Sequence, residues 1–319
     1  MRYLIKLTPL NPFFFGGDVT FGKKGDKEKG TYLVKSRHFP QQSAVLGMVR
    51  KELLIQKGFL TTKVRGEWID NNKKDEAKRF VGEGKFEFDE KQDFGVLKSI
   101  SPIFLIRGDD KFIKKVDIDS YNYRDGLLEG YNPKENIYDN FISISSGEKK
   151  STNDIFKSIE QIGNSKFDDE SSFFKKTSYL LKDDFNFAFY IDCDYRLKDS
   201  IITLGGEKST FKMTIIEDSS ELDYQSKKGY LTLLSDAYIT LPIKEHSAFA
   251  ITSEISFNYL QNEFKDNIRT FKKSSKSRFL YERGSIFIEP SNELIDNLKS
   301  ANLQKIGLNI FSYSGVTNA

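Results

Sequence analysis

Helical and strand-like patterns alternate along this chain, and their order is the feature that most restricts its fold. The clearest helical pattern begins at Ser43, the expected N-cap, and ends at Gly58, the expected C-cap. Strand-like runs lie on either side of it, at Tyr3–Leu7 and within Phe94–Val116. A second helical pattern, Ser291–Ser300, also lies between strand-like runs. Strand, helix, strands, helix, strand therefore occurs loosely in each half, which is the order of a ferredoxin-like unit.

These patterns predict an α+β fold with two ferredoxin-like domains. The N-terminal domain is expected to cover residues 1–222 with an insertion at about 117–183, and the C-terminal domain to cover residues 223–319. The insertion is acidic and has few apolar runs, so we expect it to contain small helices and not sheet core. The 28 Phe and 15 Tyr residues favour a sheet-rich interior elsewhere.

Charge is distributed unevenly along the chain, although the net charge is only +3. Residues 1–65 contain 13 Lys and Arg against 4 Asp and Glu, whereas residues 117–223 contain 13 basic and 22 acidic residues. Residues 264–288 are basic again, with 7 Lys and Arg against 2 acids. This pattern indicates one face for a polyanion and another for a basic partner. Solvated charge without a partner is the alternative.

The sequence offers little for catalysis, metal binding or membrane insertion. The only cysteine, Cys193, excludes an internal disulfide and a multi-cysteine zinc site. The two histidines, His38 and His246, are far apart, and strand alternation separates Cys193 from the acids of the "DCD" stretch. No phosphate-binding loop, dinucleotide motif or nucleophile elbow is present. We therefore expect no enzyme activity, no cofactor, no membrane partner and a cytoplasmic location.

Several short stretches, in a fixed order, resemble a known family. They are "LTPLNPFFFGGDVTFG", "FPQQSAVLGMVRKELL", "LGGEKSTFKM", "RGSIFIEP" and "QKIGLNIFSYSG". Together they are similar to the repeat-associated mysterious protein (RAMP) superfamily of CRISPR effectors, and in particular to the third subunit of the type III-B, or Cmr, complex. The stretches cover about 70 residues in total and leave the region from about Lys63 to Asp183 without a match.

The resemblance implies a non-catalytic RNA-binding subunit with two RNA-recognition-motif-like domains. Such a subunit binds the 5′ tag of the CRISPR RNA and contacts the large polymerase-like subunit and the repeated backbone RAMP subunit. Its association with target RNA is indirect. The resemblance also implies a glycine-rich RNA-binding loop, which corresponds here to Leu204–Ser209.

Elementary chemistry suggests how this loop and the first helix bind RNA. Glycines let backbone N–H groups approach a phosphate, and lysine supplies charge. We expect Glu207 to turn aside and pair with a basic residue, or to accept a hydrogen bond from a base edge or a 2′-OH. The predicted RNA-binding residues are Gly205, Gly206, Lys208, Ser209, Arg37, His38, Gln41, Gln42, Ser43, Lys23, Lys24 and Arg50. The start of the first helix contributes because its free N–H groups favour anions.

Some alternatives remain open at this point. Phe39 is equally suited to stacking on a base and to packing against the helix, whereas Phe13–Phe15 are expected to pack on the sheet. The basic residues Lys272, Lys273, Lys276 and Arg278 suit either RNA or an acidic protein face. A structural bridging subunit and an endoribonuclease that uses His38 are the alternative functions.

Overall fold

The computed structural model shows a mixed α/β protein whose sheets are mainly antiparallel. It describes residues 1–16, 19–21, 32–63, 66–82, 86–118, 121–132, 134, 137–164, 173–207, 209–257, 260–265, 268–273 and 278–315. Within these ranges, no helix is both long and apolar enough to cross a membrane.

The helices are α1 (Gln42–Gln56), α2 (Lys74–Val81), α3 (Thr152–Ile155), α4 (Ile243–His246), α5 (Asn292–Leu298) and α6 (Ala301–Gln304), with a 3-10 turn at Asn71–Lys73. The strands of the N-terminal part are β1 (Arg2–Pro9), β2 (Val19–Phe21), β3 (Tyr32–Lys35), β4 (Leu60–Lys63), β5 (Gly66–Ile69), β6 (Leu97–Ile100), β7 (Phe104–Arg107), β8 (Asp110–Lys114), β9 (Asn122–Arg124), β10 (Leu127–Glu129), β11 (Asn140–Ser143) and β12 (Lys149–Ser151). The remaining strands are β13 (Phe156–Asn164), β14 (Phe173–Leu181), β15 (Asn186–Cys193), β16 (Ser200–Thr203), β17 (Thr210–Glu217), β18 (Tyr230–Leu233), β19 (Ser247–Ile251), β20 (Glu254–Phe257), β21 (Leu260–Lys265), β22 (Ile268–Lys273), β23 (Arg278–Tyr281), β24 (Ile286–Pro290) and β25 (Phe311–Tyr313).

The chain divides into two compact units. Unit 1 consists of residues 1–112 and 150–221, and unit 2 of residues 113–149 and 222–319. The main sheet of unit 1 has the order β8-β7-β15-β1-β17-β16, and β6 also pairs with β15. Tyr3, near the start of the central strand β1, pairs with Ile191 on one side and Glu217 on the other, both antiparallel.

Helix α1 forms as its sequence indicates, but its start differs from the prediction. Gln41 and not Ser43 is the N-cap, and its side chain makes no capping hydrogen bond. The helix buries apolar residues at helical spacing, including Val45, Val49 and Leu53.

A four-stranded sheet completes unit 1, and it contradicts the prediction for part of the insertion. Strands β13 and β14 form a long antiparallel hairpin, and β14 pairs in parallel with β3. The region about 117–183 was expected to contain small helices, whereas its described residues are mostly strands, with α3 as the one helix among them. The local pattern is misleading because β14 is completed by β3, a backbone partner distant in sequence, and not by its own apolar periodicity.

Unit 2 contains a sheet with the order β19-β24-β18-β25, in which every pair is antiparallel. Helix α5 packs on one face through Leu294, Ile295 and Leu298. The opposite face packs against residues 113–149, which belong to unit 2, although the part from about residue 117 onwards was predicted as an insertion of the N-terminal domain.

Two strands of unit 2 are shorter than their sequence suggests. The run Tyr230–Leu241 was expected to be one strand, but β18 ends at Leu233. Beyond it, Asp236 receives hydrogen bonds from Arg283, and the amide of Ile310 donates to Ser235 Oγ. These side-chain hydrogen bonds take the place of a continued strand ladder. The final strand was expected to begin at Ile306, whereas β25 begins at Phe311.

Candidate nucleic-acid interface

The glycine-rich loop Leu204–Ser209 is joined to the "FFFGGD" segment near the N-terminus. The Gly206 amide donates to the Phe14 carbonyl oxygen at 2.7 Å, and the two residues form an antiparallel bridge. The Phe14 amide donates to Ser209 Oγ at 2.9 Å, and this hydroxyl donates to the Gly206 carbonyl oxygen at 2.7 Å. Two segments almost 200 residues apart in sequence thus form one structural feature of unit 1.

The packing of this feature explains both glycines. Gly205 has φ +91°, and a Cβ there would lie 2.5 Å from the Phe14 carbonyl oxygen and 3.0 Å from Phe15 Cδ1. A Cβ on Gly206 would lie 3.1 Å from Phe14 Cδ1. Only glycine allows the loop to approach this closely without displacing its neighbour.

The same contacts change the roles predicted for Gly206 and Ser209. The Gly206 amide and the Ser209 hydroxyl are both hydrogen-bonded within the chain, and Ser209 is only 1% exposed. Binding a phosphate through these groups would require the existing bonds to break. We therefore assign Gly206 and Ser209 to holding the loop in place. Lys208, predicted to supply charge, lies outside the described residues.

Glu207 turns towards a basic residue, which confirms the expectation for it. Its Oε2 lies 3.5 Å from Lys176 Nζ, and Glu207 has a positive φ of 55°. Lys176 also lies over the Phe14 ring, with its Nζ 5.0 Å from the ring centroid. The sequence did not indicate Lys176, because it belongs to the region predicted as an insertion. The available signal was the strand-prone Thr177 and Tyr179 that follow the two lysines in "KKTSYLL".

Arg37 is held beside the same N-terminal segment. Its amide donates to the Gly16 carbonyl oxygen at 2.9 Å, and the preceding residue, Ser36, accepts from the Phe15 amide through Oγ at 2.9 Å. The Arg37 side chain is half-buried. The segment Phe14–Gly16 therefore connects the predicted Arg37 to the predicted glycine loop.

His38 and Phe39 belong to an aromatic cluster. The His38 ring centroid lies 4.6 Å from that of Phe156 and 4.5 Å from that of Tyr179. Phe39 packs edge to face on Phe187, with centroids 5.7 Å apart. Packing is thus the observed state of Phe39. His38 is half-buried and packs on both rings, whose own centroids are 6.1 Å apart.

The start of α1 presents two of its three predicted polar residues at the surface. Gln42 is 1% exposed and donates from Nε2 to the Ser101 carbonyl oxygen at 2.6 Å, so its side chain anchors the helix. Gln41 and Ser43 are half-buried. The first-turn amides of a helix have no intrahelical acceptors and carry partial positive charge, so this end suits an anion.

Arg50 does not join this surface. Its Nη2 donates to the Gly82 carbonyl oxygen at 2.7 Å, at the end of α2. Burial lowers the pKa of the Arg50 guanidinium, consistent with this enclosed position. Helical periodicity turns Arg50 towards α2, and its contact with RNA stays a prediction. Lys23 and Lys24 lie outside the described residues.

The acids and the cysteine of the "DCD" stretch are engaged separately. Asp192 accepts from Ser99 Oγ at 2.7 Å, and Asp194 pairs with Lys98 at 3.0 Å. Cys193 is buried, and desolvation raises the pKa of its thiol. Across the part of the chain that the structure describes, no group of three or more His, Cys, Asp and Glu side chains is arranged to hold a metal ion.

Comparison with known proteins gives a family match over part of the chain. Residues 5–113 match the family described as CRISPR-associated protein (Cas_Cmr3). The chain resembles Cmr3. This match confirms the resemblance given by the sequence, and it covers β1, the Phe14 segment and α1. No curated protein is significantly similar to the chain in sequence.

Solved structures agree with this in fold. A chain of the type III-B Cmr-beta complex bound to cognate target RNA is 18% identical, with a TM-score of 0.55, over 98% of this chain and 96% of that chain. A second structure of that complex, bound to cognate target RNA and AMPPnP, is 17% identical with a TM-score of 0.52 over the same shares. At these identities the likeness shows a shared fold over nearly the whole length.

Proposed function

We propose that this protein is a non-catalytic subunit of a type III-B Cmr effector complex that binds the 5′ tag of the CRISPR RNA. The family match across residues 5–113 is the observation that carries this proposal. In this role the subunit also docks the large polymerase-like subunit and the adjacent backbone RAMP subunit. Target RNA reaches it only through the assembled complex.

The strand order of both units supports two ferredoxin-like domains. The sheet of unit 2 has the spatial order β25-β18-β24-β19. When its strands are numbered along the chain, this order is 4-1-3-2. Four strands of the main sheet of unit 1 have the spatial order β17-β1-β15-β7, which is again 4-1-3-2 when they are numbered along the chain. This order is the one in which a βαββαβ unit places its strands. Each unit retains one substantial helix of the expected pair, α1 in unit 1 and α5 in unit 2.

The RNA surface that we propose is smaller than the sequence indicated. It consists of Arg37, the half-exposed Gln41 and Ser43 at the start of α1, and Lys208 in the glycine loop. Lys176 contributes positive charge beside the loop, although Glu207 partly neutralises it. Gly205, Gly206 and Ser209 hold the loop against Phe14 and are not themselves part of this surface. Phosphate contacts by Arg, Lys and helix N-termini position RNA without reading its sequence.

Substitution of Arg37 tests this surface. We expect Arg37→Glu to weaken binding of an RNA with a repeat-derived 5′ tag by about tenfold or more at low salt, because a cation beside the phosphates becomes an anion. The matched control is Arg79→Glu, on the exposed side of α2 in the same unit. Fluorescence anisotropy measures binding, and thermal unfolding verifies that both variants are folded. Equal affinity in Arg37→Glu and wild type would reject the surface.

A bridging subunit with incidental RNA contact is the second candidate. It is favoured by the acidic residues of 113–149, which belong to unit 2, with Asp125 and Glu129 exposed. Asp125→Lys combined with Glu129→Lys would then reduce recovery of the large subunit in a pull-down and leave RNA affinity unchanged. Loss of RNA binding with intact recovery of the large subunit would reject bridging as the main role.

An endoribonuclease is the weakest candidate, because the half-buried His38 ring is engaged in packing on Phe156 and Tyr179. We expect the purified protein to leave a repeat RNA uncut in the absence of metal. Cleavage that disappears in His38→Ala would overturn the non-catalytic assignment.

A further inference from the structure

The strand β16 lies at an open edge of the main sheet of unit 1. It pairs antiparallel with β17 on one side, and no described strand pairs with its other side. The Leu204 amide, directly after β16, donates to the Ser209 carbonyl oxygen at 3.0 Å. Hydrogen-bonded pairs alternate along an antiparallel ladder, so the backbone of Ile202 also faces β17, whereas that of Ile201 and Thr203 faces outwards. The edge therefore presents backbone donors and acceptors that a further strand could pair with.

This edge has none of the features that usually protect an edge strand from other strands. Charged side chains, proline and β-bulges are the common protections. The sequence of β16 is Ser-Ile-Ile-Thr, and its register with β17 runs without a shift from Ser200 to Thr203. Ile201 is 61% exposed. An uncharged, regular strand rich in β-branched residues favours the addition of another strand.

The outer face of the sheet beside this edge is apolar and hydroxyl-bearing, with a cation close by. Direct partners in an antiparallel pair project to the same face, so the side chain of Ile201 lies beside that of Lys212. Lys212 lies opposite Thr8 of β1 in the same way. Thr203 follows Ile201 on this face, because alternate residues of a strand share a face. All four side chains are exposed.

The chemistry of the edge indicates what it binds. Outward N–H and C=O groups at alternate residues are complementary to another extended polypeptide backbone, which supplies acceptors and donors at the same spacing. Ile201 favours an apolar side chain directly opposite it on the added strand. Lys212 favours a carboxylate on the same face. The partner is therefore an extended protein segment with an apolar and an acidic side chain on one face.

The position of β16 indicates which protein supplies this segment. The strand leads directly into the glycine-rich loop Leu204–Ser209, which belongs to the proposed RNA surface of unit 1. A strand added to β16 would therefore lie beside that surface. A subunit that binds the next part of the same guide RNA is well placed to provide it, and in the proposed function this is the adjacent backbone RAMP subunit.

We propose that β16 is a docking edge to which an extended segment of the adjacent backbone RAMP subunit adds as a further strand. The backbone of the segment exchanges hydrogen bonds with Ile201 and Thr203. Its side chains place an apolar group opposite Ile201 and a carboxylate near Lys212. The identity of the partner rests on the proposed function, whereas the docking edge itself follows from the open side of β16.

Amide hydrogen exchange resolved at single residues tests the added strand. In the full-length protein alone, the amides of Ile201 and Thr203 should exchange rapidly and that of Ile202 slowly. With the purified backbone subunit at saturating concentration, exchange at Ile201 and Thr203 should slow by about tenfold or more, because these amides become hydrogen-bonded. Unchanged exchange at both amides in the complex would overturn the proposal.

Substitutions of Ile201 test the same edge by affinity. Ile201→Pro removes an outward N–H and leaves the ladder to β17 intact, whereas Ile201→Lys adds a protecting charge. Each should raise the Kd for the backbone subunit about tenfold or more, because main-chain hydrogen bonds supply the affinity of an added strand. The control is Ile162→Lys, at an exposed isoleucine of the edge strand β13, which should bind as wild type does. Thermal unfolding verifies folding, and wild-type affinity in a folded Ile201→Lys would overturn the proposal.

The charge on the face and the identity of the partner are tested separately. Lys212→Glu should raise the Kd for the backbone subunit about fivefold, whereas the control Lys74→Glu, at an exposed position of α2, should not. Loss of binding to the large subunit or to a second copy of this chain, with the backbone subunit unaffected, would overturn the choice of partner.

Measurement of RNA binding in the same variants distinguishes failure of this inference from failure of the proposed function. The Ile201 variants should keep the preference for tagged over scrambled RNA. If wild type lacks that preference but the Ile201 variants lose the backbone subunit, the docking edge holds and the RNA assignment is wrong. If wild type has the preference and the Ile201 variants bind the backbone subunit normally, the docking edge alone is rejected.

Discussion

Gly205 and Ser209 illustrate how the residues of the candidate site act on one another. Gly205 lies directly against the Phe14 backbone, and the buried Ser209 hydroxyl links Phe14 to Gly206. Neither role is visible in the loop sequence alone, because the partner lies near the other end of unit 1. The sequence correctly indicated that the loop needs glycine, and the neighbour that requires it at Gly205 is the Phe14 backbone.

Gly205→Ala should destabilise the protein more than the same substitution at a glycine that also has a positive φ but has free space around an added Cβ. Gly147 is the matched control, because its φ is +72° and nothing lies within 4 Å of an added Cβ. Both substitutions place alanine in the left-handed region, at a cost of about 1–2 kcal/mol. Only Gly205→Ala adds the overlap with Phe14, which costs about 1–3 kcal/mol more. Equal urea midpoints for the two variants would contradict the packing described here.

Asp236 and Arg283 form a buried ion pair in unit 2, with side chains 10% and 4% exposed and Nε 3.2 Å from Oδ1. Asp236→Ala should lower the free energy of unfolding by about 3–5 kcal/mol, because the guanidinium stays buried without this carboxylate. The exposed pair Asp296–Lys299 is the comparison, and Asp296→Ala should cost at most about 1 kcal/mol. Chemical denaturation measures both. Similar small losses would show that the buried pair contributes little.

Secondary-structure elements that depend on interactions close in sequence were predicted correctly, whereas an element that depends on a distant partner was not. Helix α5 begins after Ser291, whose hydroxyl accepts from the Leu294 amide, and this local signal was sufficient to predict it. Strands β7 and β8 lie within Phe94–Val116, where strand-like runs were predicted, and their turn at Gly108 is local. The β13–β14 hairpin was missed because β3, its parallel partner, is more than 100 residues away. Periodicity within one segment does not reveal such a partner.

A short strap, Asp218–Glu221, lies against residues of the main sheet of unit 1. Arg2 Nη1 donates to Glu221 Oε1 at 2.8 Å, and Lys111 Nζ donates to the Glu221 carbonyl oxygen at 3.1 Å. Arg2 and Lys111 also lie 5.3 and 5.2 Å from the centroid of the Tyr190 ring. These contacts fix the end of unit 1 through charge, so the strap should respond to acid.

The pKa of Asp218 is lowered from its ordinary value of 3.8, first by the hydrogen bond from the Ser220 amide and also by the Ser220 hydroxyl, Lys111 and Tyr190. The folded state therefore favours the carboxylate. Its contribution to stability is present above pH 3.8 and is lost as the pH falls through the lower folded value. The stability difference between wild type and Asp218→Asn should be constant above about pH 5 and shrink below about pH 4. Urea titrations across this range measure it, and a difference that does not change with pH would contradict the role of the strap.

At the level of the whole molecule, the two basic stretches of the sequence belong to different units, residues 1–65 to unit 1 and residues 264–288 to unit 2. Residues 113–149 cover one face of the unit 2 sheet. The fold class could be predicted from the alternation of elements. The membership of residues 113–149 in unit 2 could not, because it depends on tyrosines such as Tyr121 and Tyr131 packing on strands more than 100 residues away.

The central claim, that this protein binds the 5′ tag of a guide RNA, is tested most directly by a competition experiment. Full-length protein bound to a labelled RNA with a repeat-derived 5′ tag is challenged with unlabelled RNA carrying either the same tag or a scrambled one. The account predicts that the tagged competitor displaces the label at a concentration at least about tenfold lower, which corresponds to about 1.4 kcal/mol. It also predicts that this preference disappears in Arg37→Glu. Equal displacement by both competitors with the wild-type protein would contradict the account.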